Sequence, residues 1–478
     1  MKNLLFVLSP ASTLSSSPRN PYRLFTLQNV ASIILVTSIL MTANAQNMEG
    51  IQYSMSDTTE AAKFIDSGKK LINTRELSKA FDLLKKACII LQDIGYSQSD
   101  KMADALHLIG NIYNLAPKKD SALAYYYQSV EIRIKIHGEK NIDLAKTYNN
   151  IGLTLIDLNL YDKAEYYILK SLNIKINLIP ENDPSIAKAY NNIGFFFIQK
   201  GEYDQAIYYF EKGRCIRESD PSYNSEELSG SYINLSNAYL KKGDYGRAIQ
   251  FGQHAVNILE KNNLIDKHFY VEPISIIGTC YYMLGDIQKS ILYHKKSLHA
   301  RLNILKNNDI GIATALNDLG ICYMDIREFE KALEYFNDAL DKLSPSYTEN
   351  IRSDGRIIAL INYNIGNVFS LKQDYQQAIA YYQKALETWI ELLGSEHDDI
   401  AKVYSGLAFC YHALGKHEQA IKENKKALSI LEKKVGLVNI ETAKVLNNLG
   451  LVYLDIQQFN QALEYLDQAI VASGFEES

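Results

Sequence analysis

A ladder of small residues at a fixed step limits what this chain can fold into more than any other feature of it. Gly68, Gly110, Gly152, Gly194, Ser236, Gly278, Gly320, Gly366, Ala408 and Gly450 follow one another every 42 residues, with one step of 46. Three positions after each stands a large apolar residue: Leu71, Tyr113, Leu155, Phe197, Tyr239, Tyr281, Tyr323, Phe369, Tyr411 and Tyr453. Twelve positions after each comes Ala80, Ala122, Ala164, Ala206, Ala248, Ser290, Ala332, Ala378, Ala420 or Ala462, and seven further on another small residue. Agreement of ten segments at four columns reads as a repeat array and not as one globular core.

Within each segment the apolar residues recur at spacings of three, four and seven, which marks one face on each of two helices. Gly inside a helix costs about 1 kcal/mol relative to Ala, so a column of small residues needs a packing reason, and close approach of the two helices supplies one. Gly201, Gly243, Gly285 and Gly415 fall seven residues after the small column, where a left-handed residue is expected to end the first helix. Pro180, Pro184, Pro221 and Pro345 fall between segments, Pro117 in a turn within one, and Pro273 in a first helical turn. Repeat units are expected to start near residues 61, 103, 145, 187, 229, 271, 313, 359, 401 and 443, with a linker over 46–60 and a tail over 471–478. The 46-residue step places four extra residues between Ser344 and Arg356, which are expected to form a longer loop.

Residues 1–45 differ in composition: they carry Lys2, Arg19 and Arg23, no acid, and an apolar run from Val30 to Met41 that ends in Thr42-Ala43-Asn44-Ala45. That pattern reads as a signal peptide cleaved before Gln46, with an uncleaved membrane anchor as the alternative, and gives an expected location in the periplasm or outside the cell. The net charge of −5 argues against a general nucleic-acid partner, since such surfaces are read first by dense Lys and Arg. The cysteines Cys88, Cys215, Cys280, Cys322 and Cys410 lack metal-ligand spacing. Three of them occupy one equivalent column, and stacked units would hold these about 10 Å apart, beyond the reach of a disulfide. All five are expected to be buried free thiols.

The small-x-x-Tyr, Ala and small pattern resembles the tetratricopeptide repeat, and its 42-residue period resembles the long-helix variant of kinesin light chains. Ala145-Lys146-Thr147-Tyr148-Asn149-Asn150-Ile151-Gly152 and Leu393-Gly394-Ser395-Glu396-His397-Asp398-Asp399-Ile400-Ala401 are similar to the phrases that open units there. The resemblance covers about residues 61 to 470 and implies an all-α fold: a right-handed α-solenoid of about ten stacked helix-turn-helix units with a concave face built from the first helices. It also implies that the exposed inner positions lie six, three and two before the small column and one after it. Those columns hold Asn149, Asn150, Asn191, Asn192, Asn234, Asn317, Asn364, Asn447 and Asn448 as amides, Lys146, Lys188, Lys402 and Lys444 as cations, and Phe195 as an apolar anchor. Amides donate and accept, so a row of them suits the backbone of an extended peptide, and the lysines favour acidic character in it. The Lys and Arg pairing of a chaperone-tail clamp is absent from these columns.

No catalytic motif is present, and His412 with His417, five apart, do not share a helical face as metal ligands on one helix would. The expectation is therefore a non-enzymatic adaptor with no cofactor and no metal, binding a protein or extended peptide. The alternative is the sensory part of a bacterial signalling system whose kinase or transcription regulator is encoded separately. No second apolar span follows the last helix, which favours the adaptor. An uncapped last unit, with Leu463 and Leu466, leads to an expectation of self-association.

Overall fold

The computed structural model describes residues 55–219, 223–304, 310–343, 351–434 and 438–474. The leader at 1–45, residues 46–54 of the expected linker, and 475–478 of the tail lie outside them. Among the described residues there are twenty α-helices, one 3-10 turn at His268–Tyr270 and no strand. None of these helices is long and apolar enough to cross a membrane.

The chain divides into two compact units between Glu202 and Tyr203. The first contains α1 (Met55–Asn73), α2 (Leu77–Asp93), α3 (Asp100–Leu115), α4 (Lys119–His137), α5 (Ile142–Asp157), α6 (Tyr161–Leu178) and α7 (Pro184–Lys200). The second contains α8 (Tyr203–Glu218), α9 (Ser225–Lys242), α10 (Tyr245–Lys261), α11 (Val271–Met283), α12 (Ile287–Ile304), α13 (Ile310–Asp325) and α14 (Phe329–Lys342). It continues through α15 (Ile351–Leu371), α16 (Tyr375–Leu393), α17 (Asp398–Ala413), α18 (His417–Lys434), α19 (Ile440–Asp455) and α20 (Phe459–Ala472). Inside either unit, an odd-numbered helix packs on the even-numbered helix after it, and that helix packs in turn on the next odd-numbered one. Each unit is thus an all-α helical repeat stack. The core of the first runs through Leu84, Leu91, Leu106 and Ile109, and one core of the second through Ile312, Leu319, Phe336 and Ile365.

The small column lets the two helices of a repeat approach closely and makes room for a bulky side chain between them. Sixteen residues after each small residue stands a side chain on the second helix that lies directly over it. A Cβ added to Gly110 would come within 2.5 Å of the Tyr126 ring, one on Gly320 within 2.5 Å of Phe336, and one on Gly366 within 2.7 Å of Tyr382. Filling such a site costs about 1–3 kcal/mol, because the ring has no other place to go. The repeat at Ser236 reverses the sizes: Gly252 sits opposite, and the Ser236 hydroxyl donates to the Ala248 carbonyl at 2.7 Å. The large residues three positions after the small column stack on rings from the second helix, Tyr323 on Tyr335 and Tyr453 on Tyr465, both at 5.3 Å.

Left-handed residues end the first helices at the expected place, with φ of 77° at Gly201 and 70° at Gly415. The same place in other repeats is also left-handed without glycine: Arg75, Asn159, Arg327, Gln373 and Gln457 have φ between 57° and 64°. One bond accounts for this uniformity, an amide that reaches back over the turn to the large residue three positions after the small one. It runs from Glu328 to Tyr323 and from Asp374 to Phe369, each at 2.9 Å.

Three further expectations need correction. Helix α1 begins at Met55, so part of the assumed linker is helical. The extra residues of the long step do not all form a loop: α15 starts fifteen residues before Gly366, where α5 starts ten before Gly152, and Gly355 lies inside it against Leu392. Residues 344–350 lie outside the described residues. Finally, Cys88, Cys280, Cys322 and Cys410 are buried free thiols, but Cys215 is exposed. Burial pushes the thiols of Cys88 and Cys280 up to about 12, which leaves them unreactive.

Candidate binding face on the first helices

In the first unit the face is carried by α5 and α7. Asn141 and Asp183 cap these helices, their side chains accepting from the backbone amides of Leu144 and Ser185 at 2.8 Å. Both caps fix where the first turn begins, so Lys146, Asn149 and Asn150 on α5 fall in register with Lys188, Asn191 and Asn192 on α7. One turn further along lie Leu153 and Phe195, the latter 43% exposed. The spacing of three, then four, places cation, amide and apolar group on one stripe.

The second unit repeats this order on α17 and α19. Lys402 and Phe409 face solvent beside Lys444, Asn447 and Leu451, with Ser405 and Asn448 half-buried between them and Phe409 48% and Leu451 42% exposed. Between the two helices the surface opens into a cavity of about 180 Å³ lined by Ala401, Lys402, Ser405, Glu441, Lys444 and Val445. Sequence reasoning chose Phe195 alone as an apolar anchor. Phe409 and Leu451 occupy the same column and were legible by the same rule.

The asparagines do more than present themselves to a ligand. Asn192 donates to Asn149 Oδ1 at 2.7 Å, and Asn150 donates to Asn111 Oδ1 at 2.9 Å, each bond linking one repeat to the next. In the second unit Asn364 donates to Asn317 Oδ1 at 2.8 Å, and Asn448 reaches Ser405 Oγ at 3.5 Å. Asn317 and Asn364 are only 3% and 5% exposed, so these two are interior residues and not part of an open row. The correction has a simple cause: an amide facing another amide on the neighbouring helix satisfies donor and acceptor without water. Asn149, Asn150, Asn191, Asn192, Asn234 and Asn448 are half-buried and Asn447 is exposed.

The lysines are also locally matched. Lys146 pairs with Asp143 at 2.7 Å, Lys402 with Asp399 at 3.0 Å and Lys444 with Glu441 at 2.9 Å, three residues back in each case. These exposed pairs are worth little in stability, but they cancel most of the net charge a ligand would meet. Among the described residues Lys188 has no ion pair. The column is not uniformly basic either, since Asp104 and Glu272 occupy it in other repeats. Asp104 pairs with Arg133, a buried guanidinium that also donates to the Asp143 carbonyl at 2.8 Å and to Thr147 Oγ1 at 2.5 Å. His107 Nδ1 lies 3.0 Å from the same hydroxyl, and burial together with the Arg133 charge lowers its pKa to about 4.

The histidines set aside on spacing do meet. His412 and His417 lie on different helices, either side of the turn at Gly415, and the structure brings them together with Asp455.

Helix hairpins stacked in register, with a graded stripe of side chains along their first helices, define a helical-repeat protein. The tetratricopeptide repeat pattern matches residues 76–177, 185–261, 274–343, 357–433 and 399–470, and the chain belongs to the tetratricopeptide repeat family. Protein KINESIN LIGHT CHAIN-RELATED 1 of Arabidopsis thaliana is 24% identical over 177 residues, covering 29% of this chain and 29% of its own. The chain therefore spans less than a third of that relative's length. The apo form of RapI shares the fold with a TM-score of 0.59 at 13% identity, over 79% of this chain and 99% of RapI. The apo quorum sensor NprR from B. thuringiensis does so with a TM-score of 0.54 at 16% identity, over 80% of this chain and 99% of its own.

Proposed function

We propose that the chain is a non-enzymatic adaptor that binds an extended segment of a protein or peptide along its first helices. The stripe of Lys, amide and apolar side chain, present on α5 and α7 and again on α17 and α19, carries this reading. A ligand lying on it meets amide groups for its backbone and Phe195, Phe409 or Leu451 for an apolar side chain. Neutralised lysines make acidic character a weaker requirement than the sequence led one to expect, with Lys188 the position where it would be read. The test is selection of random displayed peptides on the full chain, compared with Phe409→Ser and Leu451→Ser. Both substitutions fall on exposed sites, and thermal scans of the variants are expected to show that they fold. Enrichment on the wild type and its loss on the variants supports the reading, and equal enrichment on all three removes it.

A second reading makes the chain the sensory part of a bacterial signalling system. Its support is the fold shared with NprR, whose name describes a quorum sensor. We also propose export, on the strength of residues 1–45; mass spectrometry of the protein from its native cells should find a chain beginning at Gln46.

A further inference from the structure

We propose that His412, His417 and Asp455 form a binding site for a divalent transition metal of the zinc class, which ties the ninth repeat to the tenth. His412 stands in the last turn of α17, His417 opens α18 and Asp455 closes α19. The two histidines stand five positions apart in sequence, a spacing that does not share one helical face, but the left-handed Gly415 turns the chain between them. Their rings come to 5.6 Å between centroids. One ligand atom from each of the three residues lies within 4.8 Å of the other two.

Two independent observations mark the position as one for a cation. The first is the Nδ1 atom of His417, shielded from solvent and without a hydrogen-bond partner. A buried imidazole nitrogen in that condition is uncommon, and a metal ion would satisfy it. The second comes from the repeat itself. The same three columns one unit apart near the start of the chain hold Asn114, Lys119 and Asp157. There the Lys119 ammonium donates to Asn114 Oδ1 at 2.8 Å, to the Asn114 carbonyl at 3.3 Å and to Asp157 Oδ2 at 2.5 Å. A cation already fills the place in that pair of repeats. In the ninth repeat the lysine and the asparagine are both replaced by imidazoles, and the carboxylate stays.

The chemistry of the donor set selects the ion. Two neutral imidazoles and one carboxylate suit Zn²⁺, Co²⁺ or Ni²⁺, whereas Mg²⁺ and Ca²⁺ prefer oxygen. Ligand bonds of about 2.0–2.1 Å in a tetrahedron put the ligand atoms about 3.4 Å apart. His412 Nε2 and Asp455 Oδ2 now share a hydrogen bond at 2.7 Å, so the ion takes the place of the proton between them, which passes through solvent to Nδ1 of the same ring, and opens the pair by less than an ångström. Water completes the fourth position. The bound ion joins α17 and α18 to α19, adding to the Asn448–Ser405 contact between α17 and α19.

The test uses the metal-stripped full chain titrated with zinc chloride in a calorimeter, with cobalt absorption and melting temperature as second readouts. His417→Phe and His412→Leu install residues that the array already uses at those columns, as in Phe329 and Leu454, so both variants fold. The expected result is one equivalent of Zn²⁺ bound, a raised melting temperature, intense tetrahedral Co²⁺ bands and no heat from magnesium chloride. Either variant, and Asp455→Asn, weakens zinc binding at least about tenfold. Absence of zinc uptake by the wild type at about 100 µM, or a smaller loss in any of the three variants, overturns the proposal.

Discussion

His107 shows how far a single side chain can be committed by its neighbours. It lies against Thr147, Asn150 and the guanidinium of Arg133, and its pKa of about 4 keeps it neutral at ordinary pH. An unfolded histidine titrates near 6.5, so below that pH the unfolded chain binds a proton that the folded chain refuses. Its contribution to stability is whole above pH 6.5 and is lost as the pH falls toward 4. The expected outcome is that His107→Gln flattens the fall in melting temperature between pH 7 and 5, read from thermal scans beside the wild type. Parallel curves for the two proteins would show that His107 takes up its proton in the folded state. None of this was legible in the sequence, where His107 shares a column with Asn149, Asn191, Asn317 and Asn447, and Arg133 lies 26 residues away.

At the scale of the element, the turn inside each repeat is the most uniform feature, and its uniformity exceeds that of the residues forming it. Glycine at Gly201, Gly243, Gly285 and Gly415 announced the left-handed turn; Arg327 and Gln373 did not, yet both adopt it. The back-reaching bond of the turn and the ring stack beneath it impose the same conformation whatever the residue. A left-handed non-glycine residue carries about 1 kcal/mol of strain, which glycine relieves at some cost in unfolded-state entropy. Gln373→Gly is therefore expected to stabilise the chain by a few tenths of a kcal/mol up to about 1 kcal/mol in urea unfolding, with its m-value unchanged. A loss of stability would mean that the Gln373 side chain makes a contribution larger than the strain.

For the molecule as a whole, the exposed apolar residues of α20 set a prediction about association. Phe459, Leu463, Ile470 and Val471 are all exposed, while Leu466, grouped with them from the sequence, turns inward over Gly450. Covering such a strip removes apolar area from water, which drives self-association. Sedimentation across a hundredfold concentration range should show dimers forming, and Leu463→Glu should abolish them. A wild type that stays monomeric throughout would mean that the strip is solvated without a partner of its own kind.

The sequence by itself determined the repeat, its pairs of helices, the sites of most turns and the columns of the proposed binding stripe, because helix periodicity and small-residue spacing are local properties. Only the tertiary structure decided which asparagines join each other across repeats and which face water. Asn317 and Asn364 are 47 residues apart and nothing in either neighbourhood announces the bond. The same holds for His412 and Asp455, joined across 43 residues. Which members of one column meet another depends on the stagger and rotation of neighbouring helices, and packing of the whole stack fixes both.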